Sequence, residues 1–355
     1  MNVAIISVTR KGAELGIKVS ELLRKTGHET DMYSVPEIAG KIPGVVPLET
    51  SLSSALADIF SSYKGLVMIM SMGIVVRTLA QYIKDKRSDP AVVSLDEGGN
   101  FVISVLSGHV GGANDLARLL AAGLETQAVI TTATDVNGVP AVDVLARDLN
   151  LRPHSSEAVK KVNAALARGE RVYLYTHYNL PLPESDYLAI RPWDSLEEKV
   201  SGWRVLITGM DSIKAGPRDL LLRPRNIAVG VGCRRGAAWG DILAEIKKSL
   251  YSTGRSLQCV KSIATIVNKT SEEGLIIASR ELGVPLRGFE PAEINSAVED
   301  HGLSRSEFVL LKMGVGGVCE PAAMLACRNG RLLAPKIKNS GVTVALAEEE
   351  SGWWD

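Results

Sequence analysis

The chain has 355 residues, with 40 Lys+Arg balanced by 40 Asp+Glu and a hydrophobic share of 46%. That length predicts two or three domains, each with its own core. The zero net charge excludes a nucleic-acid binder that works through whole-chain charge, though not a local basic patch. Cys233, Cys259, Cys319 and Cys327 form no C-x-x-C pair and fit no common zinc spacing, so a reduced cytoplasmic protein without a metal site of its own is expected. No apolar run approaches the ~20 residues that span a bilayer, so no membrane partner is expected.

Val3 to Ser7 is a continuous apolar run suited to a buried first strand, and it lacks the basic flank of a leader peptide. The spacing of Leu15, Val19, Leu22 and Leu23 predicts a helix that stops near Gly27. His28 to Tyr33 reads as a second strand, Pro36 to Pro47 as a loop, and the stretch around Leu52, Leu56, Ile59 and Phe60 as an amphipathic helix. Leu66 to Met70 is the next strand, and Ser71 reads as the N-cap of the helix behind it. Ala91 to Leu95 and Phe101 to Val105 predict a hairpin around Asp96-Glu97-Gly98-Gly99. Ser107 to Gly112 leads into a helix from Ala113 to Gly123, with Asn114 and Asp115 as its expected caps. Ala128 to Thr131 is a strand that runs into the turn Thr131-Thr132-Ala133-Thr134-Asp135.

From about Leu149 the signals thin. A serine cap at Ser155 or Ser156, strands near 171–176, 187–190 and 204–208, and a Pro-rich link at 180–183 describe a small α+β region. Pro217 to Asn226 reads as a boundary. Beyond it, Ile227 to Val231 is a strand, and Gly230-Val231-Gly232-Cys233-Arg234-Arg235-Gly236 opens a helix. The third glycine comes one residue late for a dinucleotide fingerprint, which argues against nucleotide binding. Gly314 to Pro321 opens another helix, and strands near 332–338 and 342–347 complete a sheet. The fold class is therefore multi-domain α/β: an N-terminal α/β domain over 1–145, a small α+β linker domain over 146–222, and a C-terminal α/β domain over 223–355.

The three polar turns at 96–99, 107–112 and 131–135 each follow or join a strand. Sheets of this class gather such turns at one edge, where ligands bind, so an anion-recognising pocket is expected there. Gly108, Gly111 and Gly112 let backbone approach a ligand closely, and the helix start behind them favours negative charge. His109 sits among these glycines, with a functional and a structural reading about equally open. Thr131, Thr132, Thr134 and Asp135 either bind polar ligand groups or satisfy their own loop. Lys86 and Arg87 read as a solvated loop or a carboxylate clamp. Arg234 and Arg235 suit carboxylates. Glu320 is either a carboxylate favoured by a helix start or a group facing the ligand.

The runs GIVVRTLAQYIKDKRSDPAVVSLDEGGNFVISVLSGHVGGANDLAR and VITTATDVNGVPAVDVLA, with AVGVGCRRGAAWGDI and KMGVGGVCEPAAMLA downstream, resemble the CbiG family of cobalt-precorrin-5A hydrolases of anaerobic cobalamin biosynthesis. The resemblance spans the chain in order and is thinnest between about Leu149 and Arg225. It implies a lactone-bearing, anionic cobalt-tetrapyrrole substrate, opened by water with release of acetaldehyde. The cobalt then belongs to the substrate, and no cofactor is expected. Contacts with neighbouring pathway enzymes are a further expectation. Such a wide ring favours a cleft between domains.

The roles follow from residue chemistry, since the resemblance marks the motifs without assigning them. Lactone opening needs a base for water and donors for the developing oxyanion. His109 or Glu97 is the expected base, and the amides of Gly108, Gly111 and Gly112 the expected oxyanion donors. Lys86, Arg87, Arg234 and Arg235 would hold rim carboxylates, with Asp96, Thr131, Thr132, Thr134, Asp135 and Glu320 as further substrate contacts. No Ser-His-Asp signature is present, so direct attack by water is expected. The alternative is a non-catalytic carrier of tetrapyrrole intermediates using the same pocket.

Overall fold

The computed structural model describes residues 1–85, 88–136, 138–339 and 341–354. They fall into two compact units, Met1–Val144 and Leu145–Asp355.

The first unit begins with β1 (Asn2–Ser7), whose apolar run Val3 to Ile6 is wholly buried, as expected of a strand covered on both faces. Thr9 caps α1 (Arg10–Lys25) by accepting from Gly12 N at 3.0 Å, and Ala13, Val19 and Leu23 turn its inner face to the sheet. β2 (Glu29–Ser34) follows. The stretch expected as a loop then carries a short helix, α2 (Pro36–Ala39), and a short strand, β3 (Val45–Pro47). Pro36 enters at the first helical turn, where its missing N–H costs nothing. Then come α3 (Leu52–Ser62), β4 (Gly65–Ile69), α4 (Met72–Leu79), β5 (Ala91–Leu95), β6 (Phe101–Leu106), α5 (Ala113–Gly123), β7 (Gln127–Val129), α6 (Ala133–Val136) and α7 (Val142–Asp148). Ser71 is the N-cap of α4, as expected, but its side chain makes no capping bond.

These strands form one seven-stranded sheet in the order β3-β2-β1-β4-β5-β6-β7. Strands β1 to β5 run parallel, β6 returns antiparallel to β5, and β7 runs parallel to β6. This reversal corrects the expectation that all three polar turns share one edge. The hairpin tip 96–99 lies at the carboxyl edge of β1, β4 and β5, with Thr9 donating to Glu97 at 2.7 Å. The turns after β6 and β7 lie at the opposite edge. At a rise of ~3.3 Å per residue, the six residues of β6 separate the two edges by roughly 20 Å.

The second unit holds two sheets. β8 (Leu151–Pro153), α8 (Ser156–Ala167), β9 (Val172–Thr176), β10 (Leu188–Pro192), β11 (Trp203–Ile207) and β12 (Asp219–Pro224) give the order β10-β9-β11-β12-β8. Ser155 caps α8 as the sequence predicts, accepting from Ala158 N at 3.2 Å. The stretch read as a boundary, Pro217 to Asn226, also carries β12, where Leu220, Leu221 and Leu222 are buried, and the chain leaves this sheet for the next between Pro224 and Ile227. Its Arg223 is buried and donates to the carbonyls of Thr208, Met210 and Ile213, which satisfies a charge that could not otherwise be buried.

The second sheet is built from β13 (Ile227–Cys233), α9 (Trp239–Ser252), β14 (Val260–Ile266), α10 (Glu273–Leu282), β15 (Leu286–Phe289), α11 (Pro291–Asp300), α12 (Glu307–Met313), α13 (Cys319–Leu325), β16 (Gly330–Asn339) and β17 (Val342–Glu349), in the order β15-β14-β13-β17-β16. Helix α13 lies against β13 so closely that a Cβ on Gly230 would fall 1.7 Å from the Cys319 carbonyl oxygen. Backbone bonds from Asp211 N to Gly254 O and from Ser256 N to Gly209 O, both 2.9 Å, tie the two sheets together. The tail folds back as well: Trp353 is buried, its Nε1 donating to Leu149 O at 3.0 Å.

Candidate active site

The site is built where β6 and β7 end. After β6 the chain turns through Ser107, at φ 57°, to Gly112, at φ 90°. Gly112 holds the N-cap of α5 in a left-handed conformation that costs a glycine little. Its N–H is already donated to His109 O at 3.0 Å, so it is committed to the turn. Gly108 is small for another reason: a Cβ there would lie 2.7 Å from Asn114 Oδ1.

Asn114 is not a cap, because Gly112 takes that position. It is buried in the first turn of α5, where its side chain knits the site together. Oδ1 accepts from Ser104 at 2.7 Å, while Nδ2 donates to Thr132 Oγ1 at 2.8 Å and to Asp135 Oδ2 at 2.9 Å. Asp135 sits on α6. It also accepts from Thr132 Oγ1 at 2.6 Å and from Arg118, one helical turn beyond Asn114 on α5. Burial opposes its charge, but bonds from Thr132, Arg118 and His109 outweigh this and hold Asp135 below the usual carboxylate range.

His109 completes the cluster. Its Nε2 lies 3.0 Å from Asp135 Oδ2, and its Nδ1 lies 3.6 Å from Asp143 Oδ2 on α7. The side chains are 21%, 15% and 10% exposed for His109, Asp135 and Asp143. Asp143 raises the imidazole above its ordinary pKa, burial works against it, and Asp135 adds to the rise. Beside this cluster is a cavity of about 180 Å³ lined by Gly108, His109, Asn114, Arg118, Asp135 and Pro140 among others. Val110 and Val136, each next to a member of the cluster, are 41% and 68% exposed.

The predicted residues therefore divide. His109, Gly108, Thr132 and Asp135 come together. Thr131 is exposed just before them. Asn114, Arg118 and Asp143 belong to the same cluster and were not singled out for it. The i, i+4 spacing of Asn114 and Arg118 was a signal that could have found that pair. Asp143 has none, because only tertiary folding brings α7 to the turn after β6.

Asp96 and Glu97 lie at the other edge of the sheet. Asp96 is spent on its own hairpin, accepting from the amides of Gly98, Asn100 and Phe101. Burial opposes its ionised form, but these bonds and the Asn100 side chain prevail, so its pKa is lowered. Lys86 and Arg87 lie outside the described residues, as does the side chain of Thr134. In the second unit, Arg234 and Arg235 are exposed after β13, while Glu320 is buried and accepts from Lys336 N at 3.1 Å. Among the described residues no helix is long and apolar enough to cross a membrane.

Three family models match in sequence order: cobalamin synthesis G N-terminal over residues 54–135, cobalamin biosynthesis central region over 140–224, and cobalamin synthesis G C-terminus over 227–347. A cobalt-precorrin-5A hydrolase from Priestia megaterium is 33% identical, covering 97% of this chain and 94% of that protein. One from Salmonella typhimurium is 32% identical, covering 97% of each. Among solved structures, a cobalamin biosynthesis protein G homologue from Sulfolobus solfataricus covers 98% of this chain and 97% of that one, at 23% identity and a TM-score of 0.44. His109 and Asp135 fall in the N-terminal match, and Asp143 in the central one.

Proposed function

The chain belongs to the cobalt-precorrin-5A hydrolase family, and from that premise we propose that it opens the δ-lactone of cobalt-precorrin-5A with water and releases acetaldehyde, giving cobalt-precorrin-5B. The observation that carries this reading is the match to curated hydrolases along essentially the whole of both chains. The substrate is an anionic cobalt-tetrapyrrole. Its cobalt travels with it, so the protein needs no cofactor of its own. The four cysteines are free thiols, which supports a reducing, cytoplasmic setting. For Arg234 and Arg235 the proposed part is a hold on substrate carboxylates.

The cluster around His109 is the proposed reaction centre. Its cavity measures about 180 Å³. Pockets that house a whole drug-sized ligand start at roughly 300 Å³. The enclosed part is too small for a complete macrocycle, so the proposed pose places the lactone-bearing limb there and the rest of the ring outside. The exposed Val110 and Val136 offer apolar seats for the adjoining ring face. The Ser107 hydroxyl donates to Asp89 O at 3.0 Å and that of Ser104 to Asn114, which favours water over a serine nucleophile. The amides of Gly108 and Gly111 are the proposed oxyanion donors.

Acetaldehyde release from purified protein given cobalt-precorrin-5A tests this reading. Wild type is expected to release it, and His109→Ala to do so about 10²–10⁴ times more slowly. A wild-type protein that retains the ring and releases nothing would be a carrier.

A further inference from the structure

We infer that His109 enters the reaction as an imidazolium clamped between Asp135 and Asp143, and gives its proton to the oxygen that leaves when the lactone opens. This rests on the reading of the cluster as the reaction centre. The observation behind it is the occupancy of the ring: both nitrogens face carboxylate oxygens, Nε2 at 3.0 Å and Nδ1 at 3.6 Å. A general base must present a lone pair to water, and a ring protonated toward both carboxylates has none to present. The proton shared with Asp135 belongs to the histidine, because that carboxylate already accepts from Asn114, Thr132 and Arg118. A carboxylate with so many donors is poorly placed to carry a proton of its own. Among the described residues, the charged groups in contact with the cluster include Arg118 and Asp115 from α5, Asp135 from α6 and Asp143 from α7.

The step balances without a further reactant. Water oxygen bonds to the acyl carbon and its proton passes to Asp143. The acyl carbon–oxygen bond breaks, its electron pair stays on the departing oxygen, and the proton on Nδ1, the more loosely held of the two at 3.6 Å from Asp143, turns to that oxygen and joins it. Asp143 then closes on Nδ1, from 3.6 Å, and returns to it the proton taken from water. Asp135 stays ionised and holds the ring, and Asn114 acts as a positioning residue that fixes Asp135.

The test joins a pH profile of acetaldehyde release with an NMR titration of the labelled His109 ring, in wild type and in the near-isosteric Asp143→Asn. In wild type both ring nitrogens should be protonated at pH 7. kcat should fall tenfold per pH unit above the ring's own titration, and not rise through it. Asp143→Asn should lower kcat by about 100-fold or more and move both the titration and the alkaline fall to lower pH. A ring that is neutral at pH 7, a rate that climbs as the ring loses its proton, or an Asp143→Asn enzyme of unchanged kcat would overturn the inference. Wild type with a protonated ring but no acetaldehyde at any pH would instead sink the hydrolase reading.

Discussion

Asp135 accepts from four side chains carried by three separate segments: His109 from the turn, Asn114 and Arg118 from α5, and Thr132 from the strand end. It is thereby the fixed point of the cluster, while Glu97 accepts from Thr9 at the far edge of the sheet. Glu97→Gln should therefore keep kcat for acetaldehyde release within about twofold of wild type; a loss of about 100-fold would move the chemistry to the hairpin edge. His109 and Asp135 were legible in the sequence because polar residues at strand ends, flanked by glycine or hydroxyls, have few structural duties. Asn114 was misread because an Asn just after paired glycines looks like a helix cap. The left-handed Gly112 filled that position and left the amide to turn inward. Asp143 lies in a mostly apolar run, and no local pattern separates it from a carboxylate pointing to water.

At the scale of elements, direction mattered more than type. Most strands and helices were readable from period and caps, as was the hairpin at 96–99, whereas β3, β8 and β12 were not. What escaped was its consequence: a strand that returns antiparallel carries the turn behind it to the opposite edge, and edge membership depends on pairing between segments. A similar non-local constraint governs Gly230, read as part of a loose nucleotide-like turn but in fact the seat of α13 on β13. With a Cβ 1.7 Å from the Cys319 carbonyl oxygen, Gly230→Ala must push helix and strand apart. Overpacking of this kind costs ~1–3 kcal/mol or more, and a domain of this size loses roughly 2–4 °C per kcal/mol. A drop of about 2–12 °C in the second unit's melting temperature is expected by circular dichroism, and an unmoved transition would show that the contact is not tight.

For the whole molecule, the two compact units should unfold as two transitions in urea, with the two sheets of the second unit melting together. The bonds from Asp211 to Gly254 and from Ser256 to Gly209 couple the two sheets, and Arg223 fixes the segment that makes them by donating to the carbonyls of Thr208, Met210 and Ile213. Trp353→Ala is expected to destabilise that unit by roughly 3–5 kcal/mol, since a buried indole and its bond to Leu149 are lost together. Hydrogen exchange resolved by segment would report the change in residues 145–355 and leave 1–144 as before; a change confined to the last few residues would mean the tail is only an appendage.

The same tail has a consequence for how the unit can be built. Asn150 Nδ2 donates to Trp353 O at 3.2 Å, so the last strand's extension returns to the residues where this unit begins. Asn150 and Trp353 are thus neighbours in space, 203 positions apart in the chain. Linking the chain near Trp353 to the chain near Leu149, and opening it in the largely exposed stretch at 179–186, is expected to give a circular permutant of this unit whose strand pairing is kept, checked by its circular dichroism spectrum.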